Sequence, residues 1–305
     1  MVRVRTVHPF SGLVLLMAIL VGLAGCSTTA VLTPTVAPLE SEKYAAIVVD
    51  AGSGKVLYQN ASSEPRYPAS LTKMMTLYLL FEAVDSGRIA PTGAIPVSAY
   101  AASRPPSKLG LKAGRSIDVQ TAILALCVKS SNDVATAVAE YLGGSEERFA
   151  ALMTAKARQL GMRSTTFRNA SGLPDPEQVT NARDMAILAT ALQKRFPHHY
   201  HVFANRSFSY GGKKIHGHNR LLGRVDGVDG IKTGYIRASG YNLATSAGRD
   251  GRRIIVIVMG GKSAKSRDAH VEELIEIYLP RAARSAGFAG GRPGSIPGLK
   301  QRLRL

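Results

Sequence analysis

The apolar stretch Met74-Met75-Thr76-Leu77-Tyr78-Leu79-Leu80-Phe81, interrupted only by Thr76, has no polar face. A helix hydrophobic nearly all round is a buried one, so this run predicts a core helix beginning at Ser70 and ending near Ser86-Gly87. Before it, two β-rich runs, 44–50 and 55–59, flank a Gly/Ser turn and predict an antiparallel hairpin. Helical periodicity follows at 118–129, 133–143, 146–160 and 181–195, and a last helix at 268–285 opens with Asp268. Strand-like segments cluster at 202–210, 228–235, 240–247 and 253–260, while 91–116 reads as a long loop and 170–176 as a turn. Strands at both ends with helices between them predict one α/β domain whose sheet joins the two ends of the chain.

The ends read differently. Arg3 and Arg5 precede an apolar run, Leu13 to Leu23, too short for a comfortable membrane span, and residues 1–25 are expected to be a targeting segment. Leu23-Ala24-Gly25-Cys26 resembles a bacterial lipobox, which implies cleavage before Cys26 and a lipid on its sulfur. A short membrane anchor or an ordinary export signal is the alternative. Ser27 after the cysteine favours the outer membrane in the sorting rule this resembles, so the expected location is the periplasmic side of the envelope. Residues 26–41 read as a tether, 42–285 as the folded domain and 286–305 as a basic tail without acids, expected to be disordered.

Composition changes the picture in two places. A net charge of +18 points to anionic surroundings, yet no zinc-finger spacing or aromatic-and-basic ribbon is present, so nucleic acid is not an expected partner. Two cysteines, Cys26 and Cys127, exclude a disulfide framework, and Cys127 sits in an apolar helical phase as an inert core thiol.

Three short motifs carry chemistry. Ser70 and Lys73 lie three residues apart on one helical face, so the amine can reach the hydroxyl. A lysine in so apolar a helix needs a polar partner, and a desolvated amine of lowered pKa can activate a serine. Lys129-Ser130-Ser131-Asn132-Asp133 lies between two helices, where it either caps the second or points a hydroxyl and an amide into a cleft. Val228-Asp229-Gly230-Ile231-Lys232-Thr233-Gly234-Tyr235 reads as a strand whose lysine is either solvated or active, with Gly234 permitting close approach of a ligand.

Ser-x-x-Lys, Ser-x-Asn and Lys-Thr-Gly in this order resemble the signature of active-site serine penicillin-binding proteins and β-lactamases. Tyr67-Pro68-Ala69-Ser70-Leu71-Thr72-Lys73-Met74-Met75, Pro106-Ser107-Lys108-Leu109-Gly110-Leu111, Asn169-Ala170-Ser171-Gly172-Leu173 and Gly240-Tyr241-Asn242-Leu243 narrow the resemblance to the D-alanyl-D-alanine carboxypeptidases, over roughly 42–285. It implies an antiparallel sheet flanked by helices with an all-helical lobe beside it. It also implies Ser70 as nucleophile, Lys73 as base, Ser130 as proton relay tuned by Lys232, and Asn132 on the substrate amide. The backbone of Ser70 and Tyr235 would hold the oxyanion, and Thr233 and Arg267 the terminal carboxylate, with Gly234 and Tyr235 counted among the substrate-binding residues. Peptidoglycan stem peptides are the implied substrates and β-lactams the implied acylating inhibitors; no cofactor is expected.

Ser131 departs from the pattern, standing where glycine is common. His216 and His218 are not expected there, and with His198, His199 and His201 they raise the question of a metal. Without a carboxylate or cysteine at ligand spacing they read as surface histidines. Two rival readings remain: a class A β-lactamase, for which Glu177 is the one nearby water-activating candidate, and a catalytically idle peptidoglycan-binding lipoprotein.

Overall fold

A computed structural model describes residue 2 and residues 36–284. The expected targeting segment with its lipid site at Cys26, most of the tether and the 286–305 tail lie outside the described residues. A compact unit starts at Val36.

Five antiparallel strands make its central sheet: β1 (Ala45–Asp50), β2 (Val56–Asn60), and, after a long helical insertion, β7 (Val228–Ile236), β8 (Gly240–Arg249) and β9 (Arg252–Gly261). Their order is β2-β1-β9-β8-β7, so the first strand hydrogen-bonds to the last, with Ile47 opposite Ile257. Every residue of β1 is buried, because both faces of the sheet are covered. Alternation decides which side each residue serves: Ala45, Ile47 and Val49 join the larger core, Ala46 and Val48 the smaller one.

The insertion supplies the helical lobe. A tight 3₁₀ turn, Ala69–Thr72, leads into α1 (Lys73–Asp85), whose residues 73–81 are all buried. Full burial contributes about 1.5–3 kcal/mol for each large apolar side chain, which explains the run without a polar face. The expected loop at 91–116 carries structure of its own: β3 (Ala94–Pro96), α2 (Ala99–Ser103) and β4 (Ser116–Asp118), β3 and β4 pairing with each other. Next come α3 (Val119–Leu124), a π turn at Ala125–Lys129, α4 (Asn132–Gly143), α5 (Glu146–Leu160) and α6 (Ala182–Arg195). Ser145 and Asn181 cap α5 and α6 through the third backbone N–H beyond them.

Two expected elements differ. The segment 202–210 is a 3₁₀ turn, Tyr200–Ala204, followed by β5 (Ser207–Tyr210), which forms a hairpin with β6 (Lys213–His216). The hairpin signal was Gly211-Gly212, both at positive φ, as a two-residue turn requires. The last helix, α7 (Ala264–Tyr278), starts before Asp268, because Ser263 and Ser266 form a reciprocal capping box. That box has serine where glutamate or glutamine is the usual third residue, which hid it.

Candidate active site

Ser70 is held in place by backbone. Its turn is clamped by Asn242, whose Nδ2 donates to the carbonyls of Tyr67 (3.1 Å) and Pro68 (3.2 Å). On one side lies Gly172 at φ +84°, where a Cβ would sit 1.9 Å from the Ala69 carbonyl oxygen. On the other lies Gly234 of β7, whose Cβ would sit 3.1 Å from the Ser70 nitrogen. Both glycines therefore let two segments close directly on the Ser70 turn. Ser70 opens onto a cavity of about 500 Å³, also lined by Ser130, Asn132, Thr233, Tyr235 and Arg267.

Lys73 is wholly buried behind it. Its Nζ lies 3.2 Å from Ser70 Oγ, 2.8 Å from Asn132 Oδ1 and 2.5 Å from the Ser171 carbonyl oxygen. Burial, then the nearby Lys232 cation, pushes this amine well below the ordinary lysine range, against the pull of Glu146 and Asp133. A neutral amine has two N–H groups and one lone pair. Two of its three neighbours, an amide oxygen and a carbonyl oxygen, can only accept. In that neutral form the lone pair is left for the Ser70 hydroxyl, the orientation that removes a proton.

The turn supplying Ser171 is itself fixed. Glu146 accepts from the Ala170 amide (3.1 Å), Thr76 Oγ1 donates to the Ala170 carbonyl (2.7 Å), and Asn169 Oδ1 accepts from Gly172 (2.7 Å).

Ser130 ends the π turn at φ +61°, a left-handed conformation costing about 1–3 kcal/mol for a residue with a Cβ. Its Oγ is buried without a hydrogen-bond partner among the described residues. Asn132 begins α4 and is tied on three sides: its amide N–H donates to the Ser107 carbonyl (2.7 Å), Nδ2 to the Pro105 carbonyl (2.9 Å), and Oδ1 accepts from Lys73. The capping role belongs instead to no side chain, since Ser131 makes no cap bond. Asp133, which the motif reading passed over, accepts from the amides of Leu109, Gly110 and Leu111 and so shapes the 105–111 loop.

On β7, Lys232 is buried and donates to the Thr233 carbonyl (2.8 Å) rather than to Ser130. Burial lowers its pKa to about 7, opposed by Cys127 and assisted by Arg267. Cys127 is half-buried against the core, with burial pushing its thiol up to about 12, which fits an inert thiol. Tyr235 is exposed and stacks on Tyr241 with ring centroids 4.3 Å apart. Arg267 lines the cavity but is buried and paired: Nη2 lies 2.6 Å from Asp268 Oδ1, and Nη1 donates to the Asn242 carbonyl (2.9 Å).

His218 and Arg220 also face the cavity, which the sequence reading did not anticipate. His218 is an exposed residue, as expected, that nonetheless lines the cavity; desolvation of its ring, then the Lys232, Lys129 and Lys73 cations, lowers its pKa. Lined by His218, Arg220 and Arg267 and by no carboxylate, the cavity suits an anionic ligand. Glu177 is outside it, exposed and 3.2 Å from Arg168. Elsewhere the fold brings Asp85 to His198 and His199, the carboxylate partner that sequence spacing did not reveal.

Comparisons with known proteins agree with this geometry. The chain is 36% identical over 245 residues to the D-alanyl-D-alanine carboxypeptidase DacF of Bacillus subtilis, covering 78% of this chain and 62% of that one. It thus spans about six-tenths of the length of the curated relatives it matches. The fold superposes on the D-alanyl-D-alanine carboxypeptidase DacD of Francisella tularensis with a TM-score of 0.76 at 30% identity, over 81% of this chain and 72% of that one. It matches penicillin-binding protein D2 of Listeria monocytogenes in its cefotaxime-bound form with a TM-score of 0.69 at 30% identity, over 80% and 98%. The family model described as D-alanyl-D-alanine carboxypeptidase (peptidase S11) matches residues 32–263, which hold the Ser70 turn, the Ser130 turn and the lysine strand, and the chain belongs to that family.

Proposed function

We propose that this protein is a serine-type D-Ala-D-Ala carboxypeptidase that removes the terminal D-alanine from peptidoglycan stem peptides. The observation that carries the reading is the Lys73 amine, depressed in pKa, with both N–H groups directed to fixed acceptors and Ser70 Oγ 3.2 Å away. Ser70 Oγ attacks the carbonyl between the two D-alanines while its proton passes to Lys73 Nζ. The backbone N–H groups of Ser70 and Tyr235 receive the oxyanion. When the tetrahedral intermediate collapses, the C–N bond breaks, and the proton returns to the leaving amine through Ser130 Oγ, which has no competing partner. Water, deprotonated by Lys73, then attacks the acyl carbon and releases Ser70. Asn132 orients the substrate amide, and Thr233 and Arg267, on the cationic wall, take the terminal carboxylate.

The same nucleophile accepts β-lactams, which stay bound as acyl-enzymes. The β-lactamase alternative lacks its water-activating carboxylate, since Glu177 is exposed and paired with Arg168. The intact Ser70/Lys73 pair speaks against an idle scaffold. The lipobox-like Leu23-Ala24-Gly25-Cys26 supports export and a lipid anchor at Cys26 in the envelope, so Cys26→Ser should shift the protein from the membrane to the soluble fraction. The function is tested by D-alanine release from a pentapeptide ending in D-Ala-D-Ala. Release that is lost in Ser70→Ala supports the reading; a folded chain that binds the peptide without releasing D-alanine defeats it.

A further inference from the structure

At the end of α1 remote from Ser70, three metal-ligand side chains converge. Asp85 is the last residue of α1, and His198 and His199 belong to the turn after α6. The Nε2 atoms of His198 and His199 lie 3.1 and 2.7 Å from the same carboxylate oxygen, Asp85 Oδ1. All three donor atoms fall within 4.8 Å of one another. In a tetrahedral zinc site, with bonds of about 2.0–2.1 Å, neighbouring ligand atoms stand about 3.4 Å apart. Small side-chain rotations therefore suffice to admit an ion.

The constellation is held from behind. The His199 ring stacks on Phe81 at 4.8 Å and 11°, and the His198 ring lies 4.3 Å from it. Backbone bonds from His199 (3.1 Å) and Tyr200 (2.9 Å) to the Phe196 carbonyl close the turn, and His201 Nδ1 lies 2.9 Å from the His198 carbonyl oxygen. One helical turn earlier Glu82 is already engaged by Lys156 (2.9 Å) and Arg195 (3.7 Å), so those cations are drawn away from Asp85. His198 is exposed, which leaves a route for the ion and a position for water.

We infer that Asp85, His198 and His199 bind one divalent transition-metal ion of the zinc class, with water completing the coordination. Two imidazoles and one carboxylate suit zinc, copper or nickel, whereas magnesium and calcium require more oxygen ligands. A helix of this length puts the ion about 18 Å from the Lys73 end, so its role is to pin α1 to the 196–201 turn rather than to take part in chemistry at Ser70.

The test is calorimetric titration of the untagged, metal-free full chain with zinc chloride, repeated with magnesium chloride. One equivalent of zinc should bind and raise Tm, and magnesium should not. Asp85→Asn and His198→Ala should each weaken zinc binding by at least about tenfold, while the circular dichroism spectrum and penicillin labelling of Ser70 stay unchanged. His198 is exposed, so its variant keeps the test valid even if Asp85→Asn loosens the helix end. The proposal is overturned if zinc does not saturate at one equivalent, or if that equivalent binds both variants as tightly as the parent.

Discussion

On one face of the sheet, α7 lays Val271, Leu274, Ile275 and Tyr278 against Ala46, Val48, Leu243, Val256 and Val258. On the other, the helical lobe brings Lys73, Ser130, Asn132 and Asp133, all buried, to a seam on the side of the sheet where β7 carries the buried Lys232. The back face holds a titratable group too, His270, but its Nε2 meets Tyr44 Oη at 2.7 Å and its ring sits edge-on to that tyrosine. The seam is built otherwise. Among the described residues, two lysines are buried without a carboxylate bonded to either, and one serine is held left-handed with no partner for its hydroxyl. Burying unpaired amines costs stability, and such arrangements persist where function requires them. The back face is where this fold gains stability; the seam is where that stability is spent.

Substitutions at the nucleophile pair should separate the two faces most sharply. Ser70→Ala should lower D-alanine release from the pentapeptide by at least about 10⁴-fold, and Lys73→Met should slow acylation, read by stopped-flow with a fluorescent penicillin, about 10²–10⁴-fold. On the back face, His270→Phe leaves Tyr44 Oη with Tyr58 at 3.2 Å and should change acylation by less than about twofold. A large loss there would break the contrast.

Gly172→Ala comes next. Its Cβ would meet the Ala69 carbonyl at 1.9 Å, so the nucleophile turn must move, and a displacement of this kind should lower kcat/KM by about 10²-fold. Full activity in this variant would show that the clamp on Ser70 is dispensable. Arg267→Ala should lower kcat/KM by about tenfold on peptides with a free terminal carboxylate, and much less on amidated ones. The neighbouring Asp268 cancels part of the arginine charge, which sets the effect near the lower end for a charge-assisted bond. Equal losses on the two peptides would remove Arg267 from carboxylate binding.

The smallest effect concerns pH and stability. Lys232 has a folded pKa of about 7, against roughly 10.4 in an unfolded chain. Between those values the unfolded state holds a proton that the folded state lacks, so raising the pH stabilises the fold. Lys73 acts in the same direction. Cys127, pushed up to about 12, opposes them once unfolded thiols ionise. Tm should therefore rise from pH 7 to about 9, and Lys232→Met should flatten that rise. An unchanged slope would mean that Lys232 is charged in the folded protein.

The sequence disclosed what local spacing can express. The apolar run at 74–81, the terminal strands and the three motifs were legible because each is a short contiguous pattern. Their convergence was only implied by resemblance, since nothing in the run of residues says that Ser171 will offer its carbonyl to Lys73. Asp133 was passed over for a similar reason: its three acceptor bonds go to residues 22 to 24 positions earlier in the chain. The histidines at 198 and 199 looked like solvated residues because Asp85, their partner, is more than 110 positions away. Lys232 was expected to face Ser130, yet it donates to the Thr233 carbonyl beside it, a contact that motif spacing cannot distinguish. His218 is the surface residue that was expected, but nothing in its local spacing says that it lines the cavity with Ser70.

Direct titration of the two buried lysines addresses the central point, that Lys73 is a neutral base poised on Ser70. With lysines labelled at ¹³Cε, the resonance absent from Lys73→Met should keep the neutral-amine shift at pH 8. A Lys73 resonance that titrates near the ordinary lysine pKa of about 10.4 would show the amine protonated at working pH and contradict the account.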